Sequence, residues 1–180
     1  MTQRPLNATA AALLGLLHEA AMTGWDLAAV AQQRIGNFWN ITQSQVYREL
    51  SAMTKAGLVV AGEAGPRDRK PYLITDTGRA AFQEWLGKDP AMEQIRFPLL
   101  LTIMFAEHLP KERLAEMINA HRAAHARQLT EYRQMREQLR AGGDDQQARF
   151  RLATLEFGLH YEAAALEWFD ALPEILDHQP

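Results

Sequence analysis

The sequence predicts a mainly α-helical chain in two parts: three helices, a β-hairpin and a fourth helix, then helix to the end. Three observations carry this. Apolar residues recur three and four apart over most of the chain, the period of a helix with one buried side. A single stretch, Leu58–Ile74, has the strand–turn–strand pattern of a hairpin. The charge divides near Gly87 and Pro90: residues 1–88 hold 9 Lys+Arg against 7 Asp+Glu, residues 89–180 hold 10 against 15. A slightly basic front and an acidic back suggest two jobs, so the expected domains are 1–88 and 89–180.

Composition narrows the class. At 47% hydrophobic the chain is too apolar for a disordered protein, and 180 residues suffice for a real core. Cysteine is absent, which excludes a disulfide framework, thiol catalysis and cysteine-bound metal. The longest apolar runs, Ala8–Leu17 and Leu99–Ala106, are about half of the ~20 residues a membrane span needs, so no membrane partner is expected. Arg4, the apolar run behind it and Ala20–Ala21 have the outline of a signal peptide. The same stretch opens a regular helical pattern, and the expected location is cytoplasmic.

In the front part, Asn7 or Thr9 caps a first helix over Ala8–Ala20, with Leu13, Leu14, Leu16 and Leu17 on a broad apolar side. Thr23 caps a second over Gly24–Arg34, with Trp25, Leu27 and Val30 inward. After Ile35-Gly36-Asn37, Thr42 caps a third that runs to Lys55 and stops at Ala56-Gly57. Its inward residues are Val46, Leu50 and Met53. Leu58–Ala61 and Pro71–Ile74 are the two strands, joined by a polar loop, and Thr75 caps a fourth helix over Asp76–Leu86. This order is that of a winged helix–turn–helix, which lays its second helix in the major groove of DNA.

The third helix is then the reader. Thr42, Gln43, Ser44 and Gln45 at its start, followed by Tyr47 and Arg48, face outward. Glutamine can pair through both amide groups with adenine, which makes Gln43 and Gln45 the natural base readers. Tyr47 and Arg48 suit phosphates. At the wing tip Arg67, Arg69 and Lys70 can lie along the backbone or enter the minor groove. Trp39, just before the reader, is expected as a core anchor.

The segment Phe38-Trp39-Asn40-Ile41-Thr42-Gln43-Ser44-Gln45-Val46-Tyr47-Arg48-Glu49-Leu50 resembles the core signature of PadR-type transcriptional regulators. Leu14-Gly15-Leu16-Leu17, Met22–Leu27, Gly57-Leu58-Val59, Arg69–Tyr72 and Ile74–Arg79 support it in the same order. Trp25 stands where the family often has tyrosine, and Arg48 where it often has proline. The resemblance covers about the first half of the chain. It implies a homodimeric regulator with a helical C-terminal dimerisation region, usually a repressor, that leaves double-stranded DNA when a small molecule binds. A protein–protein adaptor that keeps the winged shape without reading DNA is the rival reading.

Beyond Pro90 helices are expected over Pro98–Glu107, from Pro110 to Arg140, and from an Asp144 cap to Ile175. On the long helix Leu114, Ile118, His121, His125, Leu129, Tyr132, Met135 and Leu139 keep close to the coiled-coil spacing of ~3.5. The last helix carries two apolar stripes. One holds Phe150, Ala153, Phe157, Tyr161, Ala164, Trp168 and Leu172, the other Leu152, Leu155, Leu159, Leu166 and Phe169. A surface helix normally has one. Two stripes therefore point to another copy packed about a two-fold axis, with Phe150, Phe157, Tyr161, Trp168 and Leu172 at the dimer interface and Leu114 and Ile118 beside them.

Trp85, His121, His160 and Trp168, with Phe157 and Tyr161 near them in pattern, are candidates for a pocket that takes a small aromatic effector. His121 and His125 stand at i, i+4, a spacing that can hold zinc. An acidic third ligand is not evident, and no metal or other cofactor is expected. No phosphate-cradling GxxxxGK[ST], HExxH, GxSxG or GxGxxG pattern is present, so the chain is not read as an enzyme.

Overall fold

Four polar side chains start the helices of the front half. Asn7, Thr23, Thr42 and Thr75 each accept a backbone N–H of the first helical turn, three residues on. They open α1 (Ala8–Leu17), α2 (Gly24–Ile35), α3 (Gln43–Lys55) and α4 (Asp76–Leu86). A computed structural model describes residues 6–63, 70–93, 95–143 and 145–177 of the chain. It divides into two compact units, Met1–Met92 and Glu93–Pro180.

The core of the first unit is aliphatic. Leu13, Leu14 and Leu17 of α1 meet Leu27 and Ala31 of α2 and Val46, Leu50 and Met53 of α3, all buried. Trp25 and Val30, expected inward, are not among these buried residues: Trp25 is 55% exposed and Val30 packs only at the margin. α1 ends at Leu17 rather than Ala20, because the chain turns at His18 towards a short strand. That strand, β1 (Met22–Thr23), joins β2 (Val59–Ala61) and β3 (Pro71–Ile74) in an antiparallel sheet of order β1-β3-β2. Gly57, at φ 71°, turns the chain out of α3 into β2. Thr75 ties the sheet to α4: its N–H and hydroxyl donate to the Leu58 carbonyl, and the hydroxyl also lies 2.7 Å from the carbonyl of Gly57.

The second unit holds α5 (Pro98–Met104), a 3-10 turn at Ala106–His108, α6 (Lys111–Ala141) and α7 (Gln146–Asp177). The helix expected over Pro98–Glu107 breaks at Phe105. Asp144 lies outside the described residues; the Asp145 side chain accepts the Ala148 N–H at 2.6 Å. α6 and α7 close on Leu129 and Tyr132 from one side and Leu155 and Leu159 from the other, flanked by Met135, Leu139 and Leu166. Among the described residues no helix is long and apolar enough to cross a membrane.

Candidate nucleic-acid interface

α3 is sharply two-sided. Val46, Leu50 and Met53 are buried, whereas Thr42, Gln43, Ser44, Tyr47 and Arg48 are exposed. The helix start is closed by a reciprocal pair. The Gln45 N–H donates to the Thr42 hydroxyl, and the Gln45 side-chain oxygen accepts the Thr42 N–H at 2.8 Å and the Thr42 hydroxyl at 3.0 Å. The oxygen of Gln45 is therefore occupied within α3, and two-point pairing of Gln45 with a base would require the cap to open. Gln43 has no such tie and stands in solvent. The signal for this cap was present in the sequence as Thr-x-x-Gln.

Neighbouring side chains orient the same face. Arg48 approaches Glu49 at 3.7 Å with its guanidinium largely in water, while Glu49 accepts from the Asn7 amide at 3.1 Å. Trp39 is 41% exposed rather than buried as an anchor; its indole N–H donates to Thr9 of α1 at 3.3 Å, which keeps the polar edge of the ring at the surface. Lys70 is exposed at the foot of the wing. Arg67 and Arg69 lie outside the described residues.

The second unit brings together part of what the sequence grouped. Of the outer α7 stripe, Phe150, Ala153, Phe157, Tyr161 and Ala164 are exposed, Trp168 is half-buried, and Leu172 is only 3% exposed. Leu172 thus belongs to the interior of the protomer, because it stands three residues beyond buried Phe169 on the same helix face. Leu114 and Ile118 of α6 are half-buried. Trp168 packs on Phe169 with ring centres 4.8 Å apart, Phe169 on His125 at 5.4 Å, His125 near Tyr161 at 6.1 Å, and Tyr161 stacks with Phe97 at 6.3 Å. Burial, and then the Glu162 carboxylate, push the Tyr161 phenol above its ordinary value, so the ring stays neutral.

Glu162, a position the sequence did not single out, is 7% exposed and takes a 2.5 Å hydrogen bond from His125. Nothing local announces it, since the two residues meet only when α6 and α7 pair. His121 and His160 are exposed, and Trp85 is half-buried on α4 in the other unit. A pocket of about 200 Å³ lies at the α6–α7 turn, lined by Leu139, Arg140, Gly143, Ala148, Arg149 and Leu152. It contains none of the four residues proposed for an effector. Among the described residues no three His, Cys, Asp or Glu side chains are grouped to hold a metal ion.

Residues 13–84 match the model of the transcriptional regulator PadR-like family, and residues 95–177 match that of the virulence activator alpha C-terminal region. The front part of the chain is thus a PadR-like transcriptional-regulator domain. It is 28% identical to a probable transcriptional regulator of Mycobacterium tuberculosis over 93% of this chain and 97% of that one. It is 22% identical to the negative transcriptional regulator PadR of Bacillus subtilis, over 92% and 96%. The fold matches that of Bacillus subtilis PadR in complex with operator DNA, with a TM-score of 0.81 at 22% identity over 96% of this chain and 99% of that one. The same regulator in complex with p-coumaric acid matches at 0.74 and 21%, over 99% and 100%. The Vibrio cholerae virulence activator AphA matches at 0.76 and 25%, over 94% and 98%. This PadR-like chain is accordingly a transcriptional regulator with a winged-helix DNA-binding fold, and its relatives are regulators rather than enzymes.

Proposed function

We propose that this PadR-like regulator is a homodimeric repressor that binds an inverted repeat in double-stranded DNA and leaves it when a small aromatic molecule binds. The observation that carries the reading is the two-sided α3, with Gln43, Ser44, Tyr47 and Arg48 open to solvent and the opposite side locked into the core. Gln43 reads a base, and Tyr47, Arg48 and Lys70 hold phosphates. Arg67 and Arg69 extend that contact from the wing. Two copies join through the outer face of α7, Phe150, Phe157 and Tyr161, so that each dimer carries two reading helices. The negative regulation known for Bacillus subtilis PadR supports repression, and its complex with p-coumaric acid supports an aromatic effector. Within this chain the run of rings from Phe97 through Tyr161 to Trp168 favours a flat ligand.

Selection of bound duplexes from a random DNA pool, at ~150 mM salt to match physiological screening, tests this. An enriched inverted repeat, with half-sites about 34 Å apart or a multiple of it, is the expected result. A single unpaired half-site would remove the dimer from the reading. No enrichment with folded protein would remove sequence-specific binding. Phenolic acids are then titrated against the selected complex, and a complex indifferent to all of them sinks the aromatic effector.

A further inference from the structure

Tyr47 rests on a residue with no side chain. Gly24, the first residue of α2, is buried, and a Cβ built on it would lie 2.5 Å from Cε1, 3.0 Å from Cζ and 3.2 Å from Cδ1 of Tyr47. Real side chains do not approach so closely. One edge of the tyrosine ring therefore lies flat over the first turn of α2, in space that only glycine leaves open. Tyr47 as a whole is still 46% exposed. On α3 it sits beside Arg48 and four residues beyond Gln43, on the face assigned to DNA.

From this geometry we infer that Gly24 is a positioning residue for DNA contact, acting through Tyr47. The inference rests on the proposed role of Tyr47 at a phosphate. A methyl group at position 24 would lift the ring from its seat. The ring is free to swing into solvent, so the collision is relieved by moving Tyr47 rather than by opening the core. The fold survives and the phenol hydroxyl leaves its place. The first turn of α2 does not itself object to alanine, which has a better helix propensity than glycine. Gly24 is thus needed for where Tyr47 points and not for the helix it begins. Thr23 before it remains tied by its hydroxyl to Asp26, at 2.7 Å to the carboxylate and 3.2 Å to the N–H, so the cap of α2 holds in the variant.

The test is a cycle of Gly24→Ala, Tyr47→Phe and the pair, measured on the duplex recovered by selection. A tyrosine hydroxyl bonded to a phosphate is a charge-assisted contact, and its loss is expected to weaken binding about tenfold. Gly24→Ala should weaken binding to a similar degree, with a melting temperature close to that of the parent. The pair should be no worse than either change alone. A second readout replaces single phosphates of each half-site by neutral methylphosphonates. One position should weaken the parent protein and leave both single variants indifferent, which a general loss of stability would not do.

If Tyr47→Phe weakens binding and Gly24→Ala does not, the positioning role is overturned and the phosphate contact stands. If the two losses add, Gly24 acts by another route and the inference falls. If Tyr47→Phe changes nothing, the phosphate contact fails and the inference fails with it, as both do if no duplex is enriched. Should Gly24→Ala not fold, Gly24→Ala/Tyr47→Ala removes the colliding ring. Recovered folding confirms the contact, and continued failure assigns Gly24 to the backbone instead.

Discussion

Gln43 and Gln45 carry the same amide two residues apart on α3, but only Gln45 holds Thr42. Changing each should therefore have a different readout. Gln43→Ala is expected to leave stability within about 0.5 kcal/mol and to cost ~1–3 kcal/mol of discrimination at one base position. Gln45→Ala removes part of a helix cap and should lower stability by about 1 kcal/mol. Gln45→Glu keeps an acceptor for the Thr42 N–H and so keeps stability, while its charge opposes DNA of any sequence. Unfolding curves and binding to base-substituted duplexes separate the two positions; equal loss of stability in both alanine variants would refute the division. His18, at the end of α1, gives a residue-scale pH dependence. Its ring lies against Phe82 with centres 4.9 Å apart, and Arg79 approaches Nδ1 at 3.0 Å. Burial first, and the Arg79 charge second, lower its pKa from the ordinary value of 6.5. The folded protein thus disfavours the imidazolium more than the unfolded chain does. Stability is intact above the unfolded value and falls as pH drops through the folded one. His18→Phe should flatten the dependence of melting temperature between pH 7 and 5; an unchanged slope would show that other groups cause it.

At the scale of elements, the parts legible in the sequence were those set by local chemistry. The Thr42 cap, the Val46–Leu50–Met53 spacing and the Gly57 exit define α3 without help from the rest of the chain. The wing strands were legible because β-branched residues flank a turn-rich loop. β1 was not, since two residues cannot show an alternation and Met22–Thr23 is a strand only because β3 lies beside it. Apolar character alone predicts Trp25 and Trp39 inward, whereas the structure leaves them 55% and 41% exposed. The two stripes of α7 were legible from their spacing. The structure gives α6 the Leu155–Leu159 stripe, with His125 and Glu162 as the polar contact in the same seam. Removing that hydrogen bond leaves a buried carboxylate poorly solvated, so His125→Ala is expected to destabilise the second unit by about 1–3 kcal/mol. Glu162→Gln should cost less, because an amide has no net charge to desolvate. Chemical denaturation followed on α6–α7 helicity checks the order, and a larger loss for Glu162→Gln would mean that the carboxylate does more than balance His125.

At the scale of the whole molecule, the outer stripe of α7 is uncovered in the single protomer. Phe157 is 70% exposed and Phe150 66%, a free-energy cost in water that a second copy would remove. At a two-fold interface each such ring meets its counterpart face, so one substitution acts twice. Phe157→Glu places two like charges in an apolar seam, yet in the single protomer it merely exposes a carboxylate. The expected result is a monomer in sedimentation with a melting curve that loses only the stability due to association. Leu155→Ala is the contrasting change: its side chain faces α6, and its loss should cost about 2–5 kcal/mol of protomer stability. The DNA consequence follows from linkage of the two reading helices. In a dimer the second half-site binds at the high effective concentration set by the first, whereas a monomer must bind each half-site separately. Phe157→Glu should thus lose far more affinity for the full inverted repeat than for a single half-site. If the variant stays dimeric, the α7 face is not the seam. If it becomes monomeric and still binds the full repeat as tightly as the parent, the two helices do not read DNA together.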